Sequence, residues 1–208
     1  MYKTIQGYSC KPDLPLTKVL KSWTRLTKEI ARDWVPNKDV PWWYNERAAL
    51  SLLSGALWRS HNYAFEEFVD EKRKMTRRSG RLSRKYKGRV DLYLNIRGAD
   101  FIAECKICWS GASINFDSSQ RVEKTLSRAC RDIRKTHPKG QRRLGFVFVV
   151  PSIKKQYRKE LDERLKGWLH KVQSVDCDAM AWVFPDFARR TQSDGKYYPG
   201  VVLLAKEI

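Results

Sequence analysis

Between residues 16 and 34 apolar side chains recur at Leu16, Val19, Leu20, Trp23, Leu26, Ile30 and Trp34, with Lys and Arg between them. That period is helical. Pro36 and Pro41 then interrupt the chain. A second helix is expected over 43–59 with Leu50, Leu53 and Leu57 on one face; Asn45 or an earlier residue caps it, and Glu46 falls in its first turn. Residues 63–69 read as a strand, and 72–87, rich in Lys, Arg, Ser and Gly, as a long mobile connection. From 89 to 96 the alternation is clean, with Val90, Leu92, Leu94 and Ile96 on one face and Arg89, Asp91, Tyr93 and Asn95 on the other. The turn Arg97-Gly98-Ala99-Asp100 leads into a strand over 101–108, which completes a hairpin. There Phe101, Ala103, Cys105 and Ile107 share one face, and Ile102, Glu104, Lys106 and Cys108 the other.

Asp117-Ser118-Ser119-Gln120 opens a helix expected to run to about residue 135 with a capping-box pattern. Its buried stripe is Val122, Leu126, Ala129, Cys130 and Ile133; its exposed stripe is basic, with Arg121, Lys124, Arg128, Arg131 and Lys135. The unbroken apolar run over 144–150, closed by Pro151, fits a strand covered on both faces. A helix over 154–171 and strands over 180–184 and 201–205 follow. Helices and strands are interleaved, so the class is α/β.

Length allows one sizeable core in the 208 residues, with residues 1–42 expected as an N-terminal helical extension to a domain over 43–208. Charge changes the picture more. With 42 Lys and Arg against 23 Asp and Glu, the formal charge is +19, which calls for a polyanionic partner. Nucleic acid is expected and a membrane is not, because the positive charge runs along much of the chain instead of forming one basic amphipathic end. No apolar run is long enough to span a bilayer and residues 1–10 lack a leader's apolar stretch, so a cytoplasmic location is expected. The five cysteines, odd in number and irregular in spacing, are expected as reduced thiols; Cys105 and Cys108, three apart on a strand, would face opposite ways.

Within that basic chain a few acids stand in an organised place. Glu104 and Lys106 project from one strand face, and Asp91 occupies a polar position of the neighbouring strand, so a hairpin brings the three together. Two carboxylates make a hard-oxygen site suited to Mg²⁺, with Mn²⁺ as the alternative, and a nearby Lys holds water and answers charge growing on a phosphate. Asp-x-Lys or Glu-x-Lys occurs three times, at Asp70–Lys72, Glu104–Lys106 and Asp194–Lys196, but only Glu104–Lys106 follows a strand with Asp at a polar position. The competing structural reading is a salt-bridge set on a solvated sheet face.

Gly88-Arg89-Val90-Asp91 followed by Phe101-Ile102-Ala103-Glu104-Cys105-Lys106 resembles the core motif of the PD-(D/E)xK nuclease superfamily. The order helix, three strands, helix, strand over residues 43–150 is similar to that family's restriction-endonuclease-like αβββαβ core. The resemblance implies a mixed central sheet flanked by helices, with an N-terminal helix and C-terminal strands added. The family's proline before the Asp is replaced by Val90. By resemblance Asp91 and Glu104 would ligate Mg²⁺ and Lys106 would position the water. Glu46 would complete the ligands, or else serve as a first-turn carboxylate answering the helix dipole. Glu66, Glu67 and Glu71 stand in reserve. Gln120 matches the second-helix Gln of some branches, although Lys124 replaces the Tyr that accompanies it there, and a capping role explains Gln120 equally well.

Two tracts would carry the nucleic acid. One holds Lys72, Arg73, Lys74, Arg77, Arg78, Arg81, Arg84, Lys85 and Lys87; the other is the stripe of Arg121, Lys124, Arg128 and Arg131. The expectation is a Mg²⁺-dependent nuclease acting on DNA, with a homodimer compatible. Its rivals are a non-catalytic nucleic-acid-binding protein that keeps the fold, and the same chemistry on RNA.

Overall fold

The computed structural model describes residues 3–75, 82–113, 117–136 and 140–208, with backbone alone for 73–75 and 82–85. In chain order the elements are β1 (Ile5–Cys10), α1 (Thr17–Trp34), α2 (Glu46–Arg59), β2 (Tyr63–Met75), β3 (Leu82–Ile96), β4 (Ala99–Gly111), α3 (Ser118–Ile133), β5 (Arg142–Lys154), α4 (Leu161–Gln173), β6 (Ala179–Phe184), the two-residue strands β7 (Gln192–Ser193) and β8 (Lys196–Tyr197), and β9 (Val201–Glu207). One sheet runs in the order β1-β6-β9-β5-β4-β3-β2, with the β7–β8 ribbon attached to the end of β5. Only β4 and β5 run parallel, joined by α3; every other pair is antiparallel. The chain is therefore α/β with a mixed, mostly antiparallel central sheet. Among the described residues no helix is long and apolar enough to cross a membrane.

Two apolar layers cover the sheet. On one face Val19, Leu20 and Trp23 of α1 and Leu50, Leu53 and Leu57 of α2 pack on Leu92, Leu94, Phe101, Ala103, Phe146 and Leu203. On the other face Val122, Leu126 and Ala129 of α3 and Leu165, Trp168 and Leu169 of α4 pack on Val147, Val149, Val202 and Leu204. The 144–150 run behaves as its composition predicts: alternate residues of β5 serve the two layers. Cys105 and Cys108 likewise fall in opposite layers. Burial pushes both thiols above the ordinary cysteine value, as expected for thiols removed from water.

Four expectations change. Residues 72–75 and 82–87 are not a loose connection: β2 continues to Met75 and β3 begins at Leu82, and their register extends from Tyr63↔Asn95 to Met75↔Leu82, while the rest of that expectation, 76–81, lies outside the described residues. A cation-rich ribbon pairs through its backbone and shows no apolar alternation, so the pattern there was silent. The segment expected as an N-terminal extension supplies both β1, paired to β6, and α1, packed in the common core. Residues 154–160 are not α-helical; β5 extends through Lys154, a short 3₁₀ segment follows, and Tyr157 departs from helical angles at φ −93°, ψ 25°. Finally, the face shared by Val90, Leu92, Leu94 and Ile96 breaks at Asp91. Val90 packs with Ile102 and Ile133 below α3, whereas the other three lie in the α1–α2 layer. Opposite that break, between the pairs Glu66↔Leu92 and Phe68↔Val90, Glu67 takes a left-handed φ of 51°, a strained conformation for a residue with a side chain.

The β3–β4 turn keeps the predicted place. Ile96 pairs with Ala99, so Arg97 and Gly98 form a two-residue loop, with φ of 54° and 83°. Positive φ at both positions is what a type I′ hairpin requires.

α3 comes close to the sheet at Gly145, where an added Cβ would meet Cys130 Sγ at 2.9 Å and the Cys130 backbone nitrogen at 3.0 Å. The backbone contact cannot rotate away. Gly145→Val should therefore cost about 1–3 kcal/mol of stability by overpacking, read as a lower midpoint in chemical denaturation; a midpoint equal to wild type would contradict this close approach.

Candidate active site

β3 and β4 pair from Ile96↔Ala99 to Leu92↔Ala103 and then part, while β3 stays bonded to β2 and β4 stays bonded to β5. The edge that β4 presents beyond Ala103 carries backbone N–H groups in need of acceptors. Asp91 Oδ2 accepts from the Cys105 N–H at 2.8 Å, and Glu46 Oε2 accepts from the Ile107 N–H at 3.2 Å. Glu46 reaches β4 because Asn45 caps α2, its side chain accepting from the Ala48 N–H at 3.0 Å, which fixes Glu46 as the first helical residue. Two carboxylates thus stand in for the missing strand.

Both carboxylates, Asp91 through the same Oδ2 and Glu46 through Oε1, also turn to Lys106. Its Nζ lies 3.5 Å from Glu104 Oε2, 3.7 Å from Asp91 Oδ2 and 3.9 Å from Glu46 Oε1, and donates to the Cys105 carbonyl at 2.8 Å. Glu104 is the most enclosed of the acids, its side chain 6% exposed, and its second oxygen is ion-paired to Lys72 of β2. Three carboxylates face two ammonium groups, which leaves one negative charge in excess in a strongly basic protein.

The charges strain one another. Desolvation raises the Glu104 pKa above the ordinary carboxylate value, Lys72 opposes it, and Asp91 raises it further. Desolvation likewise raises Glu46, with Lys106 pulling it down and Asp91 pushing it up. For Lys106 burial works against the charge, but Asp91, Glu46 and Glu104 overcome it and hold its pKa above the usual lysine value. In this arrangement Lys106 is an ammonium, able to donate to water or phosphate oxygen and unable to accept a proton. α3 borders the cluster: Arg128 acts on the Glu46 charge and Asp132 on that of Lys106.

Asp91, Glu104 and Lys106 therefore come together as their spacing suggested, and Glu46, named only by the resemblance, joins them. Gln120 is exposed on the first turn of α3, and none of the cluster's contacts involves it. Asp117 caps that helix through the Ser119 N–H. The reserve acids Glu66 and Glu67 are used elsewhere: Ser51 donates to Glu66, and Glu67 pairs with Arg47 and Arg89. Arg121, Lys124, Arg128 and Arg131 form an exposed stripe on α3, and Lys87 is exposed on β3. Arg77, Arg78 and Arg81 lie outside the described residues, and Arg73, Lys74, Arg84 and Lys85 are described by backbone alone.

Lys72 corrects its own expectation. Assigned to an exposed tract for nucleic acid, it sits within β2 with its side chain 11% exposed, against Glu104. Its signal was faint, since only the register of the whole β2–β3 ribbon brings it to β4.

All donors at the cluster are carboxylate oxygens, the chemistry that hard divalent cations require. Among the described residues no three such side chains are grouped ready to hold a metal; the acids converge on the Lys106 ammonium. The donor set fits a divalent ion in kind, at a point now held by an organic cation. Comparison with known protein families, with characterised proteins and with solved structures finds no match to this chain.

Lys72 and Glu104 form a nearly buried pair, so removing one partner should leave a stranded charge. Lys72→Met should lower stability at pH 7 by about 3 kcal/mol. Part of that loss should return below the glutamate range, where Glu104 itself takes a proton. The sign follows from its raised pKa: as pH climbs from 4.5 the folded state holds the proton longer, so ionisation subtracts stability on the way up. Lys72→Met combined with Glu104→Gln should recover most of the loss at pH 7. Additive single effects in denaturant titrations would show that the pair is not coupled.

Proposed function

We propose that this chain is a metal-dependent nuclease with a PD-(D/E)xK-type site, hydrolysing phosphodiester bonds of nucleic acid, with DNA as the first substrate to test. One observation carries the reading: Asp91, Glu104 and Glu46, from three elements, direct carboxylate oxygens at Lys106 where β3 and β4 separate. The element order α2-β2-β3-β4-α3-β5 supports a restriction-endonuclease-like core, since it follows the helix, three strands, helix, strand arrangement of that family. The +19 charge and the exposed cations of α3 supply attraction for a phosphate backbone.

In this reading Asp91, Glu104 and Glu46 would hold Mg²⁺ or Mn²⁺, which when bound supplies positive charge to acidify water and to receive phosphate oxygen. Lys106 donates hydrogen bonds from its ammonium to hold the attacking water and to answer the charge that gathers on the phosphate. Lys72 keeps Glu104 ionised by opposing its desolvation. Arg128, on the bordering helix, draws the strand toward the cluster.

A second reading has an observation of its own: the acids are already answered by Lys106 and Lys72, as a non-catalytic nucleic-acid-binding protein with this architecture would keep them. The two readings part on cleavage. Wild-type protein should cut labelled DNA in Mg²⁺ and not in EDTA. Lys106→Ala and Asp91→Asn should each reduce the rate at least about 100-fold. Mg²⁺ should raise the thermal unfolding midpoint of wild type and not that of Asp91→Asn/Glu104→Gln. Equal cleavage by wild type and Lys106→Ala would sink the site, and parallel RNA substrates decide the sugar.

A further inference from the structure

Beyond the carboxylate cluster, β4 runs on to Trp109, three residues past Lys106 and roughly 10 Å along the strand. α2 is approached from Trp43, three residues before Glu46. The Glu46–Ile107 hydrogen bond holds those two segments together, and both tryptophans meet Tyr198. The Trp43 and Tyr198 rings lie 6.0 Å apart at 85°, and those of Trp109 and Tyr198 5.9 Å apart at 86°. Tyr198 is thus met edge-to-face by two tryptophans, forming one side of a cleft of about 320 Å³ that Tyr44 and Asp194 also line.

Trp109 is shared with a second cleft, of about 510 Å³, at the carboxyl ends of the parallel strands β4 and β5. Its walls carry Arg121, Lys154, Arg164 and Lys196. Arg164 is committed to Glu160 and stacks 3.5 Å above the Tyr157 ring. Arg121, Lys154 and Lys196 are exposed, and none is in an ion pair with a described residue. An aromatic cleft and a cationic cleft therefore adjoin across one tryptophan, beside the acids. Both volumes lie within the range of small-ligand sites. Crevices at the carboxyl ends of parallel strands commonly take ligands.

We propose that these adjoining clefts hold one unstacked nucleotide of the strand being cut, its base against Trp43, Trp109 and Tyr198 and its phosphate among Arg121, Lys154 and Lys196. The inference rests on the nucleic-acid reading of the acid cluster and narrows its substrate. A base paired and stacked inside a duplex presents no free face to these rings, so the strand must be single or unpaired beside the cut. Aromatic rings accept any base face, so the clefts select for an unpaired nucleotide without reading its sequence.

The test measures binding in EDTA, so that cleavage is not needed for an answer. Fluorescence anisotropy with a labelled single-stranded DNA oligonucleotide compares wild type, Trp109→Ala, Lys154→Ala/Lys196→Ala, and Lys18→Ala/Lys21→Ala, the last removing two exposed charges from α1. Trp109→Ala and Lys154→Ala/Lys196→Ala should each weaken binding about tenfold, the α1 pair less than threefold, and blunt duplex should bind less tightly than single strand. Photo-crosslinking of an oligonucleotide carrying 5-iododeoxyuridine locates the base independently of any variant's folding. It should mark Trp43, Trp109 or Tyr198. Crosslinks confined to exposed aromatic residues outside the clefts, such as Trp58, Tyr63 and Phe65, or equal losses from the two lysine pairs, would overturn the proposal. Strand binding through the clefts with no cleavage in Mg²⁺ would leave this inference standing and remove the nuclease; cleavage unchanged in Lys154→Ala/Lys196→Ala, with crosslinks elsewhere, would do the reverse. Absence of any strand binding would remove both.

Discussion

Where β3 leaves β4, two backbone N–H groups lose the partner that a continuous sheet would give them, and the side chains around the opening answer that loss. An unpaired amide in a half-buried place is costly, so carboxylates at Asp91 and Glu46 are held as substitutes for a strand. Their positions do not depend on charge attraction alone; the backbone of β4 aligns them. That alignment in turn brings Asp91 Oδ2 and Glu46 Oε1 to one spot, and Lys106, two residues beyond Glu104, fills it. The opening thus makes the cluster, and the left-handed Glu67 and the change of face at Asp91 stand where β3 parts from β4.

The surrounding electrostatics follow the same division. Acids are outnumbered in this chain, and among the described residues the one buried acid, Glu104, lies at the cluster. Desolvation acts on Glu46 and Glu104, the neighbouring Asp91 adds to the cost, and Lys106 and Lys72 oppose it. Cations elsewhere are mostly exposed. Positive charge at the periphery and a compact, cation-seeking centre form an arrangement in which a polyanion is attracted from outside and meets a cluster of its own sign at the opening.

How much of this could be read from the chain depended on whether a residue's surroundings were local. The β3–β4 hairpin was legible because β3 alternates between core and partly exposed positions, and because Gly98 marks a short loop. Glu104 and Lys106 followed from that pattern by parity. Asn45 announced the start of α2, and so the place of Glu46, but not its bond to Ile107, which depends on how a helix 61 residues earlier packs on the sheet. β1 was missed because Ile5–Cys10 carries few apolar residues and finds its partner in β6, more than 160 residues later. Val90 broke its pattern because Ile133 of α3 offered it cover on the other side. Lys72 was hidden by composition: within a run of cations nothing distinguishes the one that turns inward.

The loop of Arg97 and Gly98 lies about 26 Å along β4 from Lys106, yet it decides which chemistry that strand displays. Side chains alternate along a strand, so a register slip of one residue would exchange its two faces. Glu104 and Lys106 would be driven among the apolar side chains of α1 and α2, and the Cys105 thiol would take their place at the opening. A left-handed pair of dihedral angles at the far tip of a hairpin is therefore as much a part of the site as the carboxylates themselves.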